Sequence, residues 1–383
     1  MKGECIMNKK EILEIKKQLT PDNCNLTRIV TCLVTSEKEI ILQKPVAFLS
    51  LPEEESFKFF DLFRIALSGN IGKNLFPVSF PTADRGEAQL FLNGIRKSRL
   101  EDENLISALF EKIANSYQFP DDYLIALVHG CYDIPGKGTD GSEQFDASDE
   151  VYEYIQCILC PVALSKSGLA YNVETNSIMD RIRDKIVEKP FHAFLFPAFN
   201  DRGPDINEAL YYCKKAADEQ PDMVRELFGN ERPASNEMKT VWLQKELTEM
   251  QQEGFEFPEM RKFYADYVDQ VNESNGTKEG LTVDAGKMAD MLEAAGATEE
   301  RIEMIREQFQ EVIGKETSVS GFMDTKKMTI KTPAFQIKAD PEYVNNIKGM
   351  TINGRLSLVI EVDSNQVEVN GVPLRLPMEN KNS

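Results

Sequence analysis

The 383-residue sequence predicts an α/β chain of the α+β kind. It has an amino-terminal mixed sheet with covering helices, then a helical segment and a small terminal antiparallel β unit. Three observations carry this. Near-continuous apolar runs, DYLIALVHGCY at Asp122–Tyr132 and VYEYIQCILCPVAL at Val151–Leu164, fit strands covered on both faces. From Ser235 to Gly314 apolar residues recur at three- and four-residue steps, the helical period. Two Asn-Gly pairs, Asn353-Gly354 and Asn370-Gly371, sit between alternating apolar residues, a strong hairpin signal.

The elements follow in order. Residues 8–19 place Ile12, Leu13, Ile15 and Leu19 near one face of a short amphipathic helix. Arg28–Thr35 and Glu39–Ser50 are rich in β-branched residues and flank Ser36-Glu37-Lys38, which reads as a hairpin. Pro52 and the acids Glu53–Glu55 open a helix through Leu67, whose Phe59, Phe60 and Phe63 should cover that hairpin. Two more helices fit 87–98 and 101–117. After the two long apolar runs, a helix is expected around Ile178–Glu188, a strand at His192–Phe199 and a helix at Asn207–Ala217. A helical hairpin should turn at Ala295-Gly296, and 328–376 should be β. The expected domains are 1–230, 231–320 and 321–383. Forty-nine residues without Cys or His bury too little to stand alone, so the β unit should dock on the hairpin 281–313 or on a second copy.

The formal charge of −19 removes the default expectation of a nucleic-acid-binding face, since DNA needs a basic one. Residues 231–320 hold 20 acidic against 10 basic side chains. The longest apolar stretches span about half of what a bilayer core requires. The first residues lack the apolar core of a secretory signal, and Met7 opens a cleaner helix-like start than Met1. Seven sparse cysteines do not form a disulfide framework, so a cytoplasmic protein with reduced thiols is expected.

Few motifs carry chemistry. Cys157 and Cys160 stand three apart, which on a strand points them to opposite faces, as buried thiols rather than a zinc pair. With only His129 and His192, imidazole metal sites and Ser-His-Asp catalysis have few ways to assemble. Gly69, Gly72-Lys73 and Pro135–Thr139 do not match the spacing or context of a phosphate-binding loop. The best candidate is a loop cluster: Asn200, Asp201, Arg202 and Asp205 after one apolar strand, with His129, Asp133 and Asp140 at the end of its neighbour. Oxygen ligands so grouped could hold Mg²⁺. The competing structural reading has Asp201 and Asp205 capping a helix that starts near Ile206, with Arg202 paired to them. No catalytic residue, resident metal or cofactor is assigned.

Asn8–Lys17 (NKKEILEIKK), Leu49–Glu55, Leu67-Ser-Gly with Gly72–Leu75, Asp146–Tyr152, Cys160-Pro-Val with Leu164-Ser-Lys166, and Phe196–Arg202 together resemble a family of uncharacterised proteins from Gram-positive gut and soil bacteria. That family is a domain of unknown function, and the resemblance covers nearly the whole chain. A second likeness, in element order alone, is to the bacterial nucleoid-associated protein family. There Leu281–Gly314 followed by Phe335–Asp340 takes the place of the late helices and terminal β unit, and the likeness implies association with DNA.

Two functions are therefore expected. One is an interaction or adaptor protein, nucleoid-associated-like, with a protein partner, no membrane and a homo-oligomer among its assemblies. The other is a metal-assisted hydrolase of phosphate esters built on the Asp-rich loops.

Overall fold

A computed structural model describes residues 7–81, 86–137, 143–144, 150–218, 220–276, 281–362, 366–369 and 372–375. The chain divides into two compact units, the first ending at Glu237 and the second beginning at Met238.

In the first unit, α1 (Lys9–Lys17) starts at a capping box. The Asn8 side chain accepts the Lys10 and Glu11 N–H groups, and Glu11 Oε2 accepts the Asn8 N–H at 2.8 Å. The predicted hairpin is β1 (Leu26–Val34) and β2 (Ile40–Leu42). Three acids in its first turn favour α2 (Glu53–Ala66), and β3 (Leu75–Ser79) follows. Next come α3 (Glu87–Lys97) and α4 (Glu103–Ser116), the latter N-capped by Asp102. The two long runs are β4 (Tyr123–Ile134) and β5 (Glu150–Leu164), as expected.

Two expected helices are strands. Residues 177–187 form β7 (Ser177–Asp180) and β8 (Lys185–Val187), with β6 (Leu169–Asn172) paired to β7. After β9 (His192–Phe196) and a small hairpin of β10 (Ala198–Asn200) and β11 (Gly203–Asp205), residues Glu208–Cys213 are the fully buried strand β12. α5 (Pro221–Phe228) closes the unit with Gly229 left-handed at its end.

Among the described residues nine strands join one sheet, ordered β2-β1-β4-β5-β9-β12-β3, with β8 added on β5 and Val46–Ala47 on β1. Every ladder is antiparallel, so α+β is the form realised. Strand side chains alternate between two cores. Ile125, Leu127, Ile155 and Cys157 meet α3, α4 and α5 through Leu92, Phe110 and Phe228. Val128, Tyr154, Ile158 and Cys160 meet α1 and α2 through Ile12, Ile15 and Phe63. Cys157 and Cys160 thus lie on opposite faces as unpaired thiols. α2 packs on β5 and β9, in the middle of the sheet, where Gln156 Nε2 donates to the Phe63 carbonyl at 2.9 Å.

The second unit is helical first. α6 (Asn236–Gln252) begins at the boundary, followed by α7 (Phe257–Gly276) and the expected helical hairpin of α8 (Ala285–Ala294) and α9 (Glu299–Val312), turning at Ala295-Gly296. Trp242 meets Phe309 edge-on at 5.3 Å. Arg301 is buried against α6, pairing with Glu249 and Glu253 and lying 3.8 Å from the fully buried Glu246. Burial pushes the Glu246 carboxyl above its ordinary value.

The terminal β unit is three separate hairpins: β13 (Met328–Lys331) with β14 (Gln336–Ala339), β15 (Ile347–Ile352) with β16 (Arg355–Ile360), and β17 (Gln366–Val369) with β18 (Val372–Arg375). Asn353 and Gly354 are both left-handed in the turn their sequence predicts. Asn370-Gly371 lies outside the described residues. The docking differs from expectation. Met328 and Val344 pack on Tyr264 and Val268 of α7, and Arg261 Nη1 donates to the Ile347 carbonyl at 2.9 Å.

Candidate functional site

The loop expected to gather a cation fastens α1 to the sheet. Asp201 and Arg202 are both left-handed (φ 46° and 59°), which turns the β10–β11 hairpin back on itself. Their backbone N–H groups, with that of Asn8, donate to the Glu11 carboxylate, which burial holds above its ordinary pKa. Arg202 Nη2 reaches Glu14 Oε1 and the Pro135 carbonyl, each at 3.2 Å, and the Tyr132 hydroxyl donates to Glu14 Oε1 at 3.0 Å. Asn200 Nδ2 donates to Asp205 Oδ2 at 2.9 Å and to Glu208 Oε1 at 3.4 Å.

Asp205 Oδ1 accepts the Asn207 N–H at 2.9 Å, so it closes a turn into β12; no helix starts at Ile206 for it to cap. Glu11, Glu14 and Glu208, which the sequence reading passed over, are the carboxylates that organise this corner.

His129 does not end a strand; β4 runs five residues further, to Ile134. Its ring is fully buried, with Nδ1 2.7 Å from Thr27 Oγ1 and Nε2 without a hydrogen-bond partner among the described residues. Burial, helped by Arg99, Arg96 and Arg28 against Glu153, pushes its pKa down to about 4. Asp133 is exposed near the end of β4, and Asp140 lies outside the described residues. Among the described residues no group of three or more His, Cys, Asp or Glu side chains is placed to hold a metal ion. The carboxylate convergence that a metal-assisted hydrolase requires is therefore not formed by those residues.

A folded-state pKa of about 4 makes His129 a source of acid sensitivity. The unfolded chain takes up a proton near 6.5 and the folded one only near 4, so stability is full above 6.5 and is lost as pH falls toward 4. His129→Asn should flatten that part of the profile relative to the native chain. Equal slopes of unfolding free energy against pH in the two proteins would refute the assignment.

The most distinctive surface is the segment expected to be a helix. β5 and β8 pair from Val162 opposite Val187 to Leu164 opposite Lys185, and β6 and β7 from Leu169 opposite Asp180 to Asn172 opposite Ser177. Between them Ser165 N–H donates to the Asp184 carbonyl and Arg181 N–H to the Gly168 carbonyl, both at 2.8 Å. All these pairs share one register. Residues 162–187 are thus one continuous two-stranded ribbon, about 33 Å along each strand.

Cross-strand partners share a face, so the ribbon is amphipathic. One face carries Leu169, Tyr171, Ile178, Ile182 and Ile186, with Asp180 and Asp184. The other carries the cations Lys166, Arg181, Arg183 and Lys185 among the shorter apolar patch of Leu164, Met179 and Val187. The apolar face is open: Leu169 is 78% exposed, Ile178 70% and Ile182 84%. At the tip the Asn172 side chain accepts the Glu174 and Thr175 N–H groups.

At the foot of the ribbon lies a groove of about 960 Å³ between α2 and β8. Phe59, Leu62, Ile65 and Leu124 give it an apolar floor. Lys16, Lys58, Arg64 and Lys189 outnumber Glu55, Asp61 and Glu188 along its walls. Lys16 Nζ donates to Ser68 Oγ at 2.6 Å, and burial and the Arg64 charge lower its pKa.

Residues 7–372 match the model of one protein family, described as a domain of unknown function (DUF4317). No curated protein matches the chain. The likeness to nucleoid-associated proteins finds no support in these comparisons.

Proposed function

We propose, for a chain that belongs to the DUF4317 family, a role as a cytosolic interaction protein that engages another macromolecule through its β ribbon. One observation carries this reading. Two-stranded hairpins are marginally stable alone, yet this one extends in register into solvent with an apolar face of five large side chains. Single exposed apolar residues are ordinary, whereas a contiguous stripe rimmed by charge marks an interaction surface. The chemistry favours protein over nucleic acid. The open face carries Asp180 and Asp184 and no cation, the tip adds Glu174, the chain's net charge is −19, and the exposed stripe offers dispersion contacts rather than phosphate pairing. No described helix is long and apolar enough to cross a membrane.

The test is site-specific photo-crosslinking in cells, with the crosslinker at Tyr171 or Ile182 and, as control, at the exposed Glu103 of α4. Discrete protein adducts are expected from the ribbon positions and none from the control. Adducts that collapse on nuclease treatment, or equal labelling from all three sites, would sink the reading.

A further inference from the structure

We infer that the partner of the ribbon is a second copy of this chain, each ribbon lying in the α2 groove of the other. This rests on the ribbon being a docking element, as proposed above, and adds what it docks to. The two surfaces are complementary in chemistry. The open face of the ribbon is apolar with the carboxylates Asp180 and Asp184 and no cation, and its tip adds Glu174. The groove has an apolar floor of Phe59, Leu62 and Ile65 beneath Lys58, Arg64 and Lys189. In a chain carrying −19, a groove with four cations against three carboxylates is complementary in sign to that acidic, apolar face.

The placement is complementary as well. Ile186 and Val187 of β8 form one wall of the groove, so the groove lies at the root of the ribbon. When two ribbons run antiparallel about a two-fold axis, the tip of each falls at the root of the other. The same contact then forms twice and closes, as an isologous dimer requires. A direct face-to-face pairing of the two apolar stripes would instead bring Asp180 and Asp184 of both copies together. The basic faces, with Lys166, Arg181 and Arg183, stay in water in the groove arrangement.

The experiment uses the purified full-length chain. Light scattering should give twice the 43.4 kDa chain mass. The double variant Ile178→Asp/Ile182→Asp should run as a monomer with an unchanged far-ultraviolet circular dichroism spectrum, because both side chains are exposed within one chain. Lys58→Glu/Arg64→Glu should weaken the dimer at least tenfold, and adding Asp180→Lys/Asp184→Lys should restore part of it.

A cysteine pair, Ile178→Cys with Leu62→Cys, should give an intermolecular disulfide on oxidation. A disulfide formed as readily by Ile178→Cys alone would place ribbon against ribbon and overturn the groove seat. A native chain that stays monomeric up to about 100 μM would overturn the second copy as partner. In that case adducts from Tyr171 and Ile182 in cells would leave the docking role standing, and their absence would remove both.

Discussion

Arg301→Ala should destabilise the second unit by about 3 kcal/mol, the cost of removing the central cation of a partly buried ion-pair cluster and leaving Lys245, 3.9 Å from Glu246, as the remaining cation beside it. Arg301 is the cation on which Glu246 and Glu249 of α6 and Glu253 just beyond its end converge, and Glu246 has no exposed surface. The loss should depend on pH in a defined direction. Burial raises the folded Glu246 carboxyl above 4.5, so the folded variant holds a proton more tightly than the unfolded chain. Its stability then rises as pH falls, and the deficit shrinks from neutral pH toward 4.5. Urea titrations at neutral pH and near pH 4.5 measure this. A deficit that is constant, or that grows in acid, would show that Arg301 contributes packing alone.

Gly130→Ala should cost about 2–3 kcal/mol through overpacking, although it adds a single methyl group. Gly130 on β4 stands directly opposite Tyr154 on β5, and the tyrosine ring lies across it. A Cβ at 130 would sit 2.4 Å from Tyr154 Cζ. The ring cannot give way easily. It is fully buried, stacks on Tyr152 at 5.0 Å, and donates from its hydroxyl to Asn25 Oδ1 at 2.8 Å. Adding Tyr154→Leu to Gly130→Ala should recover part of the loss, a coupling that a double-mutant cycle reads directly. Additive effects of the two changes would mean that the glycine serves the strand by some route other than this contact.

How much of this was legible in the sequence depended on whether the signal was local. β4 and β5 were readable because long apolar runs bounded by polar loops have few other meanings. The α8–α9 hairpin and the Asn353-Gly354 turn were readable for the same reason: period and turn chemistry act within a few residues. The ribbon was misread because Ile178, Ile182 and Ile186 stand four apart, a spacing that shares one face in a helix and equally in a strand. β12 carries no strand signature because Ala209–Cys213, ALYYC, is an unbroken apolar run behind one carboxylate, and a strand buried on both faces shows no alternation.

The candidate loop is legible as a polar corner, but its contacts with α1 are not. Asn200, Asp201, Arg202 and Asp205 present the same composition whether they hold a ligand or a helix. Their partners Glu11 and Glu14 lie some 190 residues earlier, beyond any local pattern. His129 lies inside the sheet because β4 continues five residues past it and pairs there with Arg28 of β1 and Ile155 of β5, neighbours that no local pattern identifies.

The order of the sheet also sets a schedule for its assembly. Most neighbours in it are close in sequence, but β3 takes its place only beside β12, with Ser79 opposite Glu208. A ribosome adding roughly 5–20 residues each second needs on the order of ten seconds to make the intervening chain. For that interval Leu75, Phe76 and Val78, all destined for the core, have no strand to pair with. The nascent chain therefore carries a sticky edge throughout the synthesis of its own central strands. Its yield in the cell should follow the supply of the chaperones that shield such edges, more than the stability of the finished sheet.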